Sequence, residues 1–214
     1  MLAPIEDLER SLSRLPGLGR RSAQRAALQL VREKERLLKP LTEALERAAA
    51  DVTCCSRCGA FTVRGKDPCD FCSDATRDGA LLCVVEEPAD ILPIEASGAF
   101  PGRFHALGGK LAPARRIGPE RLRLAELKDR VVREGVREVL LALSTDMDGD
   151  ATAGYVTELL RGTGAKVTRL AFGLPVDSGV ADSDPLTLRR AIRGRREARD
   201  EADDDSDDER DSRA

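Results

Sequence analysis

The chain begins with two helical patterns. Over residues 5–14, and again over 22–50, apolar side chains recur at the three- and four-residue intervals that line one face of a helix. Ala23, Ala26, Ala27, Leu30 and Val31 form the first part of the longer stripe. Leu41, Leu45 and Ala48 continue it beyond Pro40, which has no amide proton to donate and predicts a break at that point. Between the two segments, Leu15-Pro16-Gly17-Leu18-Gly19 predicts a tight turn. Periodicity then disappears over residues 54–76, where Cys, Gly, Asp and Ser dominate and a staple is needed to hold a fold. From residue 80 the pattern alternates again. Apolar runs at 81–86, 103–107, 137–143 and 166–172 predict strands, and 88–97, 119–134 and 150–161 predict helices between them. In the 119–134 helix, Leu122, Leu124, Leu127 and Val131 are expected to face inward. Strands that are apolar on both faces and separated by helices predict an α/β unit with a largely parallel sheet. Residues 185–197 predict a last, basic helix.

This pattern divides the chain into a helical module (1–53), a cysteine-rich module (54–76), an α/β domain (77–173), a C-terminal segment (174–199) and an acidic tail (200–214). Only 3% of residues are aromatic and none is Trp, so the core is expected to be Leu, Val, Ile and Ala. The net charge of −3 conceals an asymmetry. Residues 200–214 hold nine acidic side chains and two arginines, a net of −7, which leaves +4 on the preceding residues. Such a like-charged run cannot offset its ordering entropy by burial and is expected to be disordered, either as a solvated tail or as a mimic of DNA. No apolar run reaches the length of about 18 residues that a membrane span requires, and Met1–Arg10 lacks the order of a signal peptide, so a cytoplasmic protein is expected. In that reducing compartment six cysteines read as metal ligands or buried thiols before disulfides.

Three groups of residues carry candidate chemistry. The first is the turn and the helix after it, Leu15 to Arg25. Its glycines open the backbone to a phosphate, and the helix N-terminus beyond offers free N–H groups and the positive end of its dipole. Arg21 and Arg25, four residues apart, share one face and can neutralise DNA phosphates without reading sequence. The second is Cys55-x-x-Cys58 with Cys69-x-x-Cys72, two knuckles separated by ten residues. Four thiolates so spaced suit one tetrahedral Zn²⁺ with no open position, hence a structural ion whose binding helps fold the module. Cys54 is a spare beside them, and Cys83, inside a strand, is expected in the core. The third group is acidic. Glu86 and Glu87 end one strand, Asp90 follows, and Ser144-Thr145-Asp146-Met147-Asp148-Gly149-Asp150 ends another. Parallel strands gather their C-termini at one edge, where clustered carboxylates suit Mg²⁺. A capping role for Asp148 and Asp150 at the 150–161 helix accounts for two of these acids equally well. His105, the single histidine, has no catalytic constellation around it and is read as packing or surface, and no phosphate-binding Gly-x-x-x-x-Gly-Lys loop supports an ATPase. Arg189, Arg190, Arg193, Arg195, Arg196 and Arg199 form a basic stretch, a solvated face or a second DNA or partner surface.

The strand-end acids resemble a Toprim domain, the metal-binding α/β unit of topoisomerases and primases. If Asp148-Gly149-Asp150 is set on that family's Glu-Gly-Glu, Ser144 falls on the first metal-binding aspartate and Asp146 on the second, so one ligand is missing. The other register, with Asp146 and Asp148 as the pair, keeps both but shifts the match by two residues. The first register fits better through the helix start. The turn motif resembles a helix–hairpin–helix. The order of LPGLGRRSAQRAA, the four cysteines, LLCVVEEPADILPIE, GRFHALGGKLAPARRIGPERL, DGDATAGYV and GLPV resembles the RecR family over residues 5–176. That resemblance implies a non-enzymatic DNA-binding mediator of recombinational repair that helps load the RecA recombinase on gapped DNA with RecO or RecF. It also implies ring-like homodimers or homotetramers. Glu86, Asp90 and Asp146 would then dock a basic partner or hold a weak Mg²⁺. The alternative class is a Mg²⁺-dependent Toprim nuclease or primase-like enzyme; a third is a protein adaptor without DNA contact. The C-terminal segment departs from the family in lacking the tyrosine expected before Thr187-Leu188.

Overall fold

The structure is a computed structural model that describes residues 2–171 and 183–194. Three helices come first: α1 (Ala3–Leu12), α2 (Arg20–Arg32) and α3 (Lys39–Asp51). The turn between α1 and α2 depends on Gly17, whose φ of +78° is strained for any residue with a Cβ. Ala23 and Ala27 bury the face of α2 that meets α1. The interruption predicted at Pro40 falls earlier. The helix ends at Glu33 (φ −113°, ψ 53°) and continues as a π-helical turn, Lys34–Leu38. Pro40 lies in the first turn of α3, directly after that π-helical turn, a position that tolerates proline. Leu41 and Leu45, expected to extend the buried stripe, are 39% and 62% exposed.

The cysteine-rich module is an antiparallel ribbon, β1 (Val52–Cys54) with β2 (Phe61–Val63), followed by the single-turn helix α4 (Asp70–Ser73). Then comes a four-stranded parallel sheet in the order β4-β3-β5-β6: β3 (Asp78–Val85), β4 (Gly102–Ala106), β5 (Glu138–Ala142) and β6 (Lys166–Arg169). The connections carry α5 (Ile91–Ser97), α6 (Leu124–Glu134) and α7 (Met147–Leu159), and α8 (Pro185–Arg193) follows β6.

Side chains of β3 alternate between two cores, as the two-residue period of a strand requires. Leu82 and Val84 point into a layer with Leu107, Leu122, Leu124, Leu127, Val131 and Val156, so the residues expected inward from the 119–134 pattern are there. That pattern is a short 3₁₀ turn (Pro119–Arg121) and then α6. Cys83 and Val85 point the other way, against Ile91, Phe104, Ala106 and the four module cysteines. The cysteine module therefore packs directly on one face of the sheet. Gly59 makes that contact possible: its φ is +77°, and a Cβ there would lie 2.8 Å from the Ala106 carbonyl oxygen. The expected C-terminal segment (174–199) is described only at 183–194, and the end of the 166–172 strand, the end of the 185–197 helix, Arg195, Arg196, Arg199, GLPV and the acidic tail lie outside the described residues.

Candidate functional site

Cys55, Cys58, Cys69 and Cys72 are all buried, and their sulfurs lie within 4.8 Å of one another. A tetrahedral ion with metal–sulfur bonds of about 2.3 Å places its sulfurs about 3.8 Å apart. Cys58 Sγ and Cys69 Sγ are 3.4 Å apart without a disulfide. Backbone amides point at the sulfurs: Ala60 N–H donates to Cys58 Sγ and Cys69 N–H to Cys55 Sγ, each at 3.4 Å. Amides turned toward sulfur stabilise thiolate, the form that binds metal. Hydrogen bonds from Cys58 and Cys72 hold Cys69 down to about 2, while Cys58, bonded to Cys69 and Cys72 and desolvated, is pushed up. So much sulfur in one place cannot all ionise without a cation. Four buried donors of a single soft type within this reach of one another fit a structural metal ion. Cys54 is exposed and outside the cluster, and Cys83 is a core thiol pushed up to about 12 by burial.

Arginines tie this cluster to the sheet. Arg130, 1% exposed on α6, donates to the Phe104 carbonyl at 2.6 Å, pairs with Glu134 at 3.0 Å and reaches Cys72 Sγ at 3.9 Å. Arg57 pairs with the same Glu134 at 2.9 Å, and Arg123 donates to the Ser56 carbonyl at 2.5 Å. The Cys58 carbonyl accepts from Ala106 N–H at 2.7 Å. The main-chain groups of Phe104 and Ala106 point to the open side of the edge strand β4, so Arg130 and the knuckle satisfy an edge that would otherwise be open. His105 is fully buried beside them, not at the surface. Its Nε2 donates to the Arg123 carbonyl at 2.9 Å, and burial lowers its pKa to about 4, so the ring is neutral.

At the N-terminus of α2, Gly19 is the capping residue and supplies no side-chain cap. The Ala23 amide makes the first intrahelical bond, to the Gly19 carbonyl. The amides of Arg20, Arg21 and Ser22 precede that bond and stand where a helix takes an anion. Arg21 and Arg25 are both exposed on this helix, and Arg20 beside them is 92% exposed with a loose 3.9 Å contact to Glu9.

The acidic residues do not assemble as a cluster of metal ligands. Among the described residues the four cysteines form the single group of three or more such ligands. Glu86 follows β3 and Ser144 follows β5, so the two do meet at the strand edge, where the strand order reverses. There Glu86 Oε1 accepts from Ser144 N–H at 2.6 Å. Asp90 is engaged locally: it accepts from Glu87 N–H at 2.8 Å in a capping box of the Pro88–Asp90 turn. Asp146 caps α7 by accepting from Gly149 N–H at 2.8 Å, a role expected of Asp148 or Asp150. Gly149 is needed because a Cβ would lie 2.1 Å from the Ser144 carbonyl oxygen. Glu86, Asp146, Asp148 and Asp150 each have a cation of the chain beside them. Lys110 reaches Asp146 at 2.5 Å and Glu86 at 3.6 Å, Arg115 reaches Asp148 at 3.4 Å, and Asp150 holds Arg169 at 2.7 Å and Arg190 at 3.3 Å. The Lys110 bond, the Gly149 amide and Ser144 bring Asp146 down to about 2. Divalent Mg²⁺ demands an octahedron of oxygens at about 2.0–2.1 Å. An edge already filled by an ammonium does not fit it.

The sequence reading missed Lys110 and the arginine partners. The signal was there for Lys110: it follows Leu107-Gly108-Gly109 after β4, and a parallel sheet brings that position to the same edge as Glu86.

Two family models match this chain: a Toprim domain over residues 80–171 and the RecR helix-hairpin-helix over residues 5–49. Among curated relatives, the Recombination protein RecR of Phenylobacterium zucineum is 47% identical over 194 residues, covering 91% of this chain and 96% of the relative. That of Caulobacter vibrioides matches at the same identity and coverage, and that of Desulfatibacillum aliphaticivorans is 41% identical over 89% of this chain and 95% of its own length. The matched turn, the buried cysteines and the parallel sheet are the parts that the sequence order placed together, and the chain belongs to the RecR family of recombination proteins.

Proposed function

We propose that this chain is a DNA-binding recombination mediator with no chemistry of its own. The observation that carries the proposal is the uncapped N-terminus of α2 behind the Gly17 turn, with Arg20, Arg21 and Arg25 exposed around it. Free amides and arginines on one surface neutralise phosphates of any sequence. Family membership supports a role in recombinational repair, and the finer reading is that the chain helps load RecA on gapped DNA together with RecO or RecF. Cys55, Cys58, Cys69 and Cys72 hold one Zn²⁺ per chain, a structural ion that knits the module to the sheet. Exposed Leu41 and Leu45 on α3 support a homodimer or homotetramer that encircles DNA. Of the two roles for Glu86, Asp90 and Asp146, docking a basic partner is favoured over a weak Mg²⁺: Asp146 keeps over half of its side chain exposed.

The test is fluorescence anisotropy with a gapped duplex, with and without Mg²⁺, and the same DNA run afterwards on a denaturing gel. Binding that needs no Mg²⁺ and leaves the strands intact is expected. Mg²⁺-dependent cleavage that disappears in Glu86→Ala would replace this reading with a Toprim nuclease.

A further inference from the structure

We infer that Lys110 is the resident cation of the Toprim edge: its ammonium stands in for a divalent ion and closes the site to Mg²⁺. The inference is about the ion, and it holds or fails whether or not the chain binds DNA.

Three oxygens surround the Lys110 ammonium. Asp146 Oδ2 is at 2.5 Å, Ser144 Oγ at 2.9 Å and Glu86 Oε2 at 3.6 Å. The first two are hydrogen bonds and the third is a longer ion pair, so the ammonium faces an oxygen on each of three sides. The oxygens come from the ends of β3 and β5, the two strands whose carboxylates would share a metal in this fold.

The lysine is positioned from both sides. Gly108 and Gly109, at φ +79° and +139°, turn their amides onto the Glu86 carbonyl at 2.9 Å each, which brings the loop against the very residue whose carboxylate Lys110 approaches. On the other side, Leu111 N–H donates to Thr152 Oγ1 of α7 at 2.9 Å. The Lys110 side chain is 19% exposed, so it lies at the junction rather than in solvent.

Charge gives the same answer. Glu86 and Asp146 would repel each other across the edge, and one ammonium between them leaves a single net negative charge. The remaining acids do not make up the difference for a metal. Asp148 is held by Arg115 and Asp150 by Arg169 and Arg190. A Mg²⁺ approaching this edge meets a half-buried positive charge already among the oxygens it would need, with Arg115, Arg169 and Arg190 on the neighbouring acids.

The prediction is that deleting the ammonium opens a metal site. Mn²⁺ serves as the probe, followed by the loss of its free-ion electron paramagnetic resonance signal, on the zinc-loaded full chain without DNA. The unaltered chain is expected to leave millimolar Mn²⁺ free. Lys110→Met, of similar length and uncharged, is expected to take up one Mn²⁺ at least tenfold more tightly, and adding Glu86→Gln to it is expected to remove the gain. Lys110→Gln replaces it if the methionine variant loses its circular dichroism spectrum. Folding of either variant only when Mg²⁺ is added is the same result by another readout. Saturable Mn²⁺ uptake by the unaltered chain that Glu86→Gln abolishes would overturn the inference. So would folded Lys110 variants that gain no Mn²⁺, or variants that stay unfolded with and without Mg²⁺. None of these outcomes bears on the anisotropy assay, so the two readings fail separately.

Discussion

Arg130→Met removes a guanidinium that three parts of the molecule share and keeps most of the side chain's apolar stem. The lost contacts are the hydrogen bond to the Phe104 carbonyl at 2.6 Å, the pair with Glu134 at 3.0 Å and the approach to Cys72 Sγ at 3.9 Å. A hydrogen bond involving a charged group contributes about 1.5–3 kcal/mol. Glu134 is not stranded, because Arg57 at 2.9 Å and Arg103 at 3.5 Å still face it. The Phe104 carbonyl is on the open edge of β4, and among the described residues no second side chain donates to it, so its loss counts in full. The expected destabilisation is therefore about 3 kcal/mol, below the roughly 3–5 kcal/mol of a pair broken to leave a lone buried charge. Urea unfolding of the zinc-loaded protein measures it. With a slope of roughly 2 kcal/mol per molar, the midpoint should fall by about 1.5 M. Arg133→Met, on the exposed face of the same helix, should stay within about 0.5 kcal/mol. A midpoint shift below about 0.5 M for Arg130→Met would refute the reasoning that the arginine joins the cysteine module to the sheet.

Further outcomes follow from the same packing. His105 has a folded pKa of about 4 against an ordinary 6.5, so between those values the unfolded chain binds a proton that the folded chain refuses, and stability falls on acidification. Comparing urea unfolding at pH 7 and pH 5, the protein should lose about 2 kcal/mol more than His105→Asn, in which acid effects on the cysteines are shared; equal losses would mean that the ring is not held neutral. Cys58→Ser should reduce bound zinc from one per chain to none by native mass spectrometry, and a chelator should lower the melting temperature of the unaltered protein; a folded, metal-free protein of unchanged stability would contradict a structural ion. Cys54→Ser, at the exposed neighbour, should change neither.

Elements were legible where one signal dominated. The apolar run at Leu82–Val85 has both faces buried, and a parallel sheet follows from that alone. The knuckle spacing brought Cys55, Cys58, Cys69 and Cys72 together because metal-ligand chemistry leaves few other uses for it. What escaped was decided by contacts distant in sequence. Pro40 reads as a break, yet tolerance of proline in a first helical turn moved the interruption to Glu33. Asp146, Asp148 and Asp150 look alike in sequence, and only the close approach of Gly149 to Ser144 selects Asp146 as the cap. Lys110 is 36 residues from Asp146, and Arg130 is 58 from Cys72, so no local pattern reports either. Leu41 and Leu45 followed the helical period and are still exposed, because periodicity shows that a face is apolar and not what covers it.

The central claim is that α2 grips the phosphate backbone, and the salt dependence of binding tests it most directly. Anisotropy on gapped DNA, repeated across salt concentrations, gives the slope of log affinity against log salt, roughly 0.9 per phosphate contact on duplex. Arg21→Glu with Arg25→Glu should weaken binding at least tenfold and flatten that slope by about two contacts, with the circular dichroism spectrum unchanged because both side chains are exposed. Unchanged affinity and slope would move the DNA surface away from this helix and contradict the account.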